Sequence, residues 1–166
     1  TAFGSAVWSS AASFGDIDGD GDIDLIVDGY FGASGRLSRY VNDAVGNFTE
    51  TTFGTGLYDG STTLADFDGD GDLDLITAGH TSAGTGGNLH RYVNNGLGTF
   101  AGPTNFGTAV RDSSVSAGDI DGDGDIDVIV SGGTPPSGAP YHIDQYLNNG
   151  AGTFGTAKSN GALSGS

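Results

Sequence analysis

Residues 16–24 read Asp16-Ile17-Asp18-Gly19-Asp20-Gly21-Asp22-Ile23-Asp24, and the same pattern returns as Asp66-Phe67-Asp68-Gly69-Asp70-Gly71-Asp72-Leu73-Asp74 and as Asp119-Ile120-Asp121-Gly122-Asp123-Gly124-Asp125-Ile126-Asp127. The three copies begin 50 and then 53 residues apart, so the stretch is one feature of a longer repeat. Upstream, Phe3-Gly4, Phe53-Gly54 and Phe106-Gly107 each stand 13 residues before the first Asp of a copy. Downstream follow Tyr40-Val41-Asn42-Asp43, Tyr92-Val93-Asn94-Asn95 and Tyr146-Leu147-Asn148-Asn149, then Gly46-Asn47-Phe48, Gly98-Thr99-Phe100 and Gly152-Thr153-Phe154. Three units therefore fill the chain as one domain, 1–166, at about 1–52, 53–105 and 106–157, with a short Gly/Ser-rich tail at 158–166.

Apolar runs in each unit stay short and no segment sustains a helical period, so each unit reads as four short strands separated by Gly-rich turns. In the first unit these fall at about Ser10–Phe14, Asp24–Asp28, Leu37–Asn42 and Asn47–Thr51. Small side chains dominate the first (Ser10, Ala11, Ala12, Ser13), as expected where strands crowd around an axis.

The order Phe-Gly, small-residue strand, Asp-rich loop, apolar strand, Tyr-Val-Asn-Asn and Gly-Thr-Phe resembles the FG-GAP/VCBS repeat family, and the resemblance covers almost the whole chain. It implies an all-β fold of three four-stranded, propeller-like blades of the integrin-α kind, with a calcium ion held in the loop between the first two strands of each blade. Closed propellers have about four to eight blades, so three blades leave two outer faces to be covered.

The loops hold fifteen of the 21 acidic residues. Five carboxylates in so short a stretch repel one another unless a counter-charge intervenes, and a hard divalent cation with about six to eight oxygen ligands supplies it. Loop positions 1, 3 and 5 can turn carboxylates inward, the Gly at position 6 permits the sharp turn, position 7 offers its carbonyl and position 9 closes the shell. The expected ligands are thus Asp16, Asp18, Asp20 and Asp24 with the Asp22 carbonyl; Asp66, Asp68, Asp70 and Asp74 with that of Asp72; and Asp119, Asp121, Asp123 and Asp127 with that of Asp125. Position 12 carries Val27, Thr77 and Val130 where an EF-hand needs a bidentate Glu, so these are not EF-hands. Calcium suits a flexible, oxygen-rich loop better than magnesium, and three Ca²⁺ would bring the formal charge from -16 to -10.

With 5 Lys plus Arg against those acids, the chain has no cationic surface for a nucleic acid. It has no Cys for disulfide bracing and no apolar run near the roughly 20 residues that span a bilayer, so membrane insertion is not expected. Extracellular calcium modules bind at about 10⁻⁴ to 10⁻³ M, which favours a secreted or cell-surface setting.

His80, His90 and His142 form no repeated nucleophile, base and orienting acid, so no enzyme is expected. The segments 29–36, 79–88 and 132–141 vary most, and Tyr30, Phe31, His80, Pro135, Pro136 and Tyr141 would suit a rim contacting glycans or surface proteins. Trp8, Tyr58 and Arg111 share one repeat position, where packing at a blade junction is expected ahead of sugar stacking. The expected function is a calcium-binding structural or adhesive surface module that associates with itself as an oligomer or fibre; the alternative is a lectin-like module.

Overall fold

A computed structural model of the chain describes residues 7–32, 34–81, 87–108, 110–133 and 140–159. The expectations placed on Thr1 to Gly4, Pro135, Pro136 and the end of the tail lie outside those residues. Among them the structure is all β, in three four-stranded antiparallel sheets. The first contains β1 (Trp8–Gly15), β2 (Asp24–Phe31), β3 (Ser34–Asn42) and β4 (Phe48–Gly54). The second contains β5 (Tyr58–Ala65), β6 (Asp74–His80), β7 (Gly87–Tyr92) and β8 (Thr104–Thr108). The third contains β9 (Arg111–Gly118), β10 (Asp127–Gly133), β11 (Tyr141–Tyr146) and β12 (Lys158–Ser159). Each sheet is a meander with strands in chain order, which is the arrangement of a propeller blade.

The phase of the sheets differs from that of the sequence units. β4 and β8 run past residues 52 and 105 and carry Phe53-Gly54 and Phe106-Gly107, so these pairs end a blade and do not begin one. A repeat fixes the period but not the point at which the blade starts. Lys158 and Ser159, read as tail, pair with Gln145 and Asp144 to form the outer strand of the third blade. The first variable segment is shorter than expected as well. Tyr30 pairs with Gly35 and Phe31 with Ser34, so most of 29–36 is a continuous hairpin.

The second strand of each blade is central, and β2 and β6 are buried along most of their length. The first strands are the innermost, and β5 lies against β1 on one side and β9 on the other. Their small side chains allow this approach and then lace it together. Ser13 donates to the Thr62 carbonyl at 3.0 Å and meets its hydroxyl at 2.7 Å, and the hydroxyls of Ser61 and Ser113 meet at 3.3 Å. At the end remote from the Asp loops the three inner strands bulge at Ser9, Asp59 and Asp112, with φ of 51°, 47° and 50°.

The apolar cores lie between blades, not within them. Between the first and second, Ile17, Ile26, Leu37 and Phe53 meet Leu64, Leu75, Tyr92 and Phe100. Between the second and third, Phe67, Ile76, Leu89 and Phe106 meet Ala117, Val128, Tyr146 and Phe154. Position by position the two junctions use the same repeat sites. Phe53 stacks on Phe100 and stands edge-on to Tyr92, as Phe106 does with Phe154 and Tyr146.

Candidate metal centres

Each Asp loop joins an inner strand to the buried central strand of its blade, so its ends are fixed by the sheet. Within the loop the first Asp organises the turn. Asp16 accepts the N–H of Gly19 at 2.8 Å and of Gly21 at 3.0 Å; Asp66 does so for Gly69 and Gly71, and Asp119 for Gly122 and Gly124. The glycines at loop position 6 take φ of 93°, 95° and 97°, where a side chain would be strained, which explains their fixed place in the motif.

The ninth Asp has a second task that the sequence did not announce. Asp24 is fully buried and accepts N–H bonds from Ile17 at 3.0 Å and Asn42 at 2.8 Å. Asp127 does the same for Ile120 and Asn148, and Asp74 accepts from Asn94 at 2.8 Å. In the first and third loops this carboxylate therefore ties the loop's start to the end of the third strand, and in the second it holds the third strand's end alone.

Oxygens of Asp16, Asp18 and Asp24, of Asp66, Asp68 and Asp70, and of Asp119, Asp121 and Asp127 each converge within 4.8 Å. Expected positions 1 and 3 meet in every blade. Position 9 joins them in the first and third clusters and position 5 in the second. The Oδ1 of Asp20, Asp70 and Asp123 each accepts an N–H two residues on. The position 7 side chains lie elsewhere: Asp72 sits against Gly96 and Asp125 against Gly150, glycines with φ of 72° and 74° that leave room for a carboxylate.

These clusters fit a cation. Asp18 Oδ1, Asp68 Oδ1 and Asp74 Oδ2 are buried without a hydrogen-bond partner, which is costly for an ionised oxygen unless something positive faces it. Desolvation, with repulsion from Asp24 and Asp20, raises the Asp18 pKa, and desolvation with Asp70 nearby raises that of Asp68. Asp74 is pushed up to about 6, first by burial. Arg91 stands 3.6 Å from Asp68 and offsets part of this charge in the second loop.

The role of the Tyr-x-Asn-Asn segment was also missed. Asn94 reaches out of the second blade and donates to the Ile17 carbonyl of the first loop at 2.8 Å while also bonding Leu73 of its own loop at 3.1 Å. Asn148 repeats this toward Phe67 at 2.7 Å and Ile126 at 3.0 Å. The first and second loops are thus each clamped by the following blade. Invariance of the first Asn position, Asn42, Asn94 and Asn148, across the units was the available signal. The histidines do not converge: His80 bonds Asp59 at 3.1 Å and His142 bonds Asp144 at 3.0 Å, in different blades.

The fold and these loops define a class: antiparallel propeller-like blades, each with an Asp-rich hairpin loop, the first two locked by the blade that follows. Residues 79–130 match the family model of the FG-GAP-like repeat. That match runs from β6 to β10, one full period including the third Asp loop, so this stretch of the chain is similar to an FG-GAP-like repeat. No curated protein matches the chain.

Proposed function

We propose that this protein is a calcium-binding structural or adhesive module of the extracellular space or cell surface that associates with itself and has no catalytic role. The observation that carries the calcium reading is the set of buried, partnerless oxygens of Asp18 and Asp68, each within a cluster of converging carboxylates, with Asp74 close to the second. Position 1, 3, 5 and 9 carboxylates would hold the ion in each loop, with the position 7 carbonyl completing the protein's share; the ion supplies charge neutralisation and a cross-link in a chain without Cys. FG-GAP-like repeats are typical of extracellular proteins, and no helix among the described residues is long and apolar enough to cross a membrane. Secretion agrees with both.

An ion bound only by the folded state stabilises it by linkage. Thermal unfolding in calcium and in excess EGTA tests this: a melting temperature lowered by chelation, with calorimetric titration giving three ions per chain, is expected. Identical melting curves would remove the calcium reading.

A lectin-like reading has one observation in its favour. At the end remote from the loops, Tyr30 stacks on Tyr58 with ring centroids 3.5 Å apart, Tyr58 stacks on His80, and Trp8 stands edge-on to Tyr58 across the blade junction with half its surface exposed. Packing at the junction is what the shared repeat position predicted, and the exposed Trp8 face is what a sugar ring would use. Trp8 is the sole tryptophan, so its fluorescence under glycan titration reports this site alone.

A further inference from the structure

The first two Asp loops have like surroundings, since each is closed by the blade that follows, yet one charge sets them apart. Arg39 and Arg91 share a repeat site on the third strands β3 and β7, paired with Ile26 and Ile76. Both cross the junction to the Gly-Thr-Phe turn of the next blade, where a Cβ added at Gly98 or Gly152 would meet the guanidinium. There they part. Arg39 Nη1 donates to the Gly98 carbonyl. Arg91 Nη1 is buried without a hydrogen-bond partner, and its Nη2 stands 3.6 Å from Asp68 Oδ2.

The Arg91 and Asp68 side chains are only 13% and 19% exposed, so solvent and salt screen this pair less than one at the surface. The charges that act on the two loops differ accordingly. Asp18 feels Asp24, Asp20 and Asp16, all negative, whereas Asp68 feels Arg91 along with Asp70 and Asp66, and Asp74 feels Arg91 as well. The carboxylates also gather differently: position 9 joins positions 1 and 3 in the first loop, and position 5 does so in the second. The second loop thus already holds a positive charge beside a carboxylate, whereas the corresponding charge at the first is engaged by a carbonyl.

We propose that Arg91 is a built-in counter-charge that makes the second loop a weaker calcium site than the first, so that the two fill at different calcium concentrations. This rests on the calcium reading above and adds an order of filling to it. A guanidinium carries donors only, so it cannot coordinate the ion, and it stays charged throughout the pH range of a folded protein. Its charge repels an incoming divalent ion and already supplies part of the neutralisation that makes ion binding favourable. Residues beside metal ligands change affinity by about 10–100-fold, and a difference of about tenfold is expected between these loops. When calcium is scarce, Arg91 leaves the middle blade partly neutralised.

The test is a calcium titration of the full chain followed by NMR, in which the backbone amides of the position 6 glycines, Gly21 and Gly71, report the two loops separately. In the wild type the Gly71 midpoint should lie at about tenfold higher calcium than that of Gly21. Arg91→Gln, which installs the side chain the third blade carries at this site as Gln145, should bring the Gly71 midpoint down toward that of Gly21. Arg91→Lys, which keeps the charge, should leave it high, and Arg39→Gln should leave it unmoved. A wild-type Gly71 midpoint equal to or below that of Gly21 overturns the proposal, and this comparison needs no variant. So does an Arg91→Gln midpoint that stays put or rises, since loss of a guanidinium that merely held Asp68 in place would weaken binding. In both of these cases the loops still bind and the calcium reading stands. Amides of both loops that ignore calcium at millimolar concentration overturn that reading, and this inference with it.

Discussion

The junction between the first and second blades and that between the second and third are built from the same repeat sites, yet they differ at one buried point. The first holds a carboxyl group, Asp28, 1% exposed, where the second holds Ala78. Asp28 accepts the Leu57 N–H at 2.8 Å with one oxygen and leaves the other buried without a partner. The facing inner-strand site compensates. Gly60 leaves space in the first junction, where an added Cβ would come within 3.0 Å of Asp28 Oδ2, whereas the second has Ser113, whose hydroxyl bonds the carbonyls of Ala78 and Asp59 at 3.0 Å. Apolar packing is thus shared by both junctions, but the first leaves a carboxyl oxygen buried without a partner where the second has a bonded serine hydroxyl. Stability should be common where the apolar sites are concerned and pH-dependent only in the first.

Removing a shared apolar site should have the largest effect. Phe67→Ala empties a fully buried position of the second junction and is expected to cost about 3–5 kcal/mol, read as a shift in the denaturant midpoint. Ile120→Ala at the corresponding exposed site should cost less than about 1 kcal/mol in the single-chain state. Equal losses would show that the junctions are not the seat of stability.

Asp28 should come next. Burial pushes its pKa up to about 7, against partial relief from the N–H groups of Leu57 and Gly29. In the unfolded chain it ionises near the usual 3.8, so between those values the folded state holds the extra proton. Stability from this group therefore falls as pH rises through that window and is level above it. Asp28→Asn removes the ionisation while keeping an acceptor for Leu57. It should raise stability at pH 8 by about 1–3 kcal/mol, the gain being limited by the cost of burying an amide, and the variant's advantage should vanish near pH 4. An advantage of equal size at pH 4 and pH 8 would place the effect outside this titration.

The clamps give smaller changes. Asn94→Ala and Asn148→Ala each strand a buried loop carbonyl and the N–H of the residue that follows them, with an expected loss of about 1–3 kcal/mol and weaker calcium binding in the preceding loop. Asn42→Ala in the single-chain state should cost less, since Asn42 bonds only its own loop.

Much of this was legible in the sequence and some was not, for physical reasons. The Asp loops, the period and the inner placement of Ser10 to Ser13 follow from spacing and side-chain size, and the sheets agree with them. The blade boundary did not follow, because Phe53 reads equally well as the start of one unit or the end of another until it is seen packed on Tyr92 and Phe100. The hairpin through Tyr30 and Ser34 was hidden by Gly29 and Gly35, which make strand and loop look alike. Positions 1 and 3, read as ligands, come together in every loop, whereas position 9 joins them in two and position 5 in one. That Asp24, Asp74 and Asp127 also fasten the loop to the third strand was not readable, since the N–H groups they accept leave no mark on the sequence. Asp28 was the one acid at a repeat position held elsewhere by Ala78 and Ser131, a signal that aligning the units exposes.

The finest test asks whether the paired difference between the junctions is itself coupled. Gly60→Ser alone should destabilise by about 1–3 kcal/mol, because the new Cβ meets Asp28 Oδ2 at 3.0 Å and the Ala78 carbonyl at 3.2 Å. Asp28→Ala alone strands the Leu57 N–H and leaves a small void, while removing an ionised group from the interior. The double variant recreates the arrangement of the second junction, where a serine hydroxyl fills the space above an alanine. If the two sites act as a unit, the loss in the double variant should fall short of the sum of the single losses by about 1 kcal/mol, a coupling within the range found for residues in contact. Strict additivity would mean that Gly60 and Asp28 adjust independently, and that the size match between the two junctions has another origin.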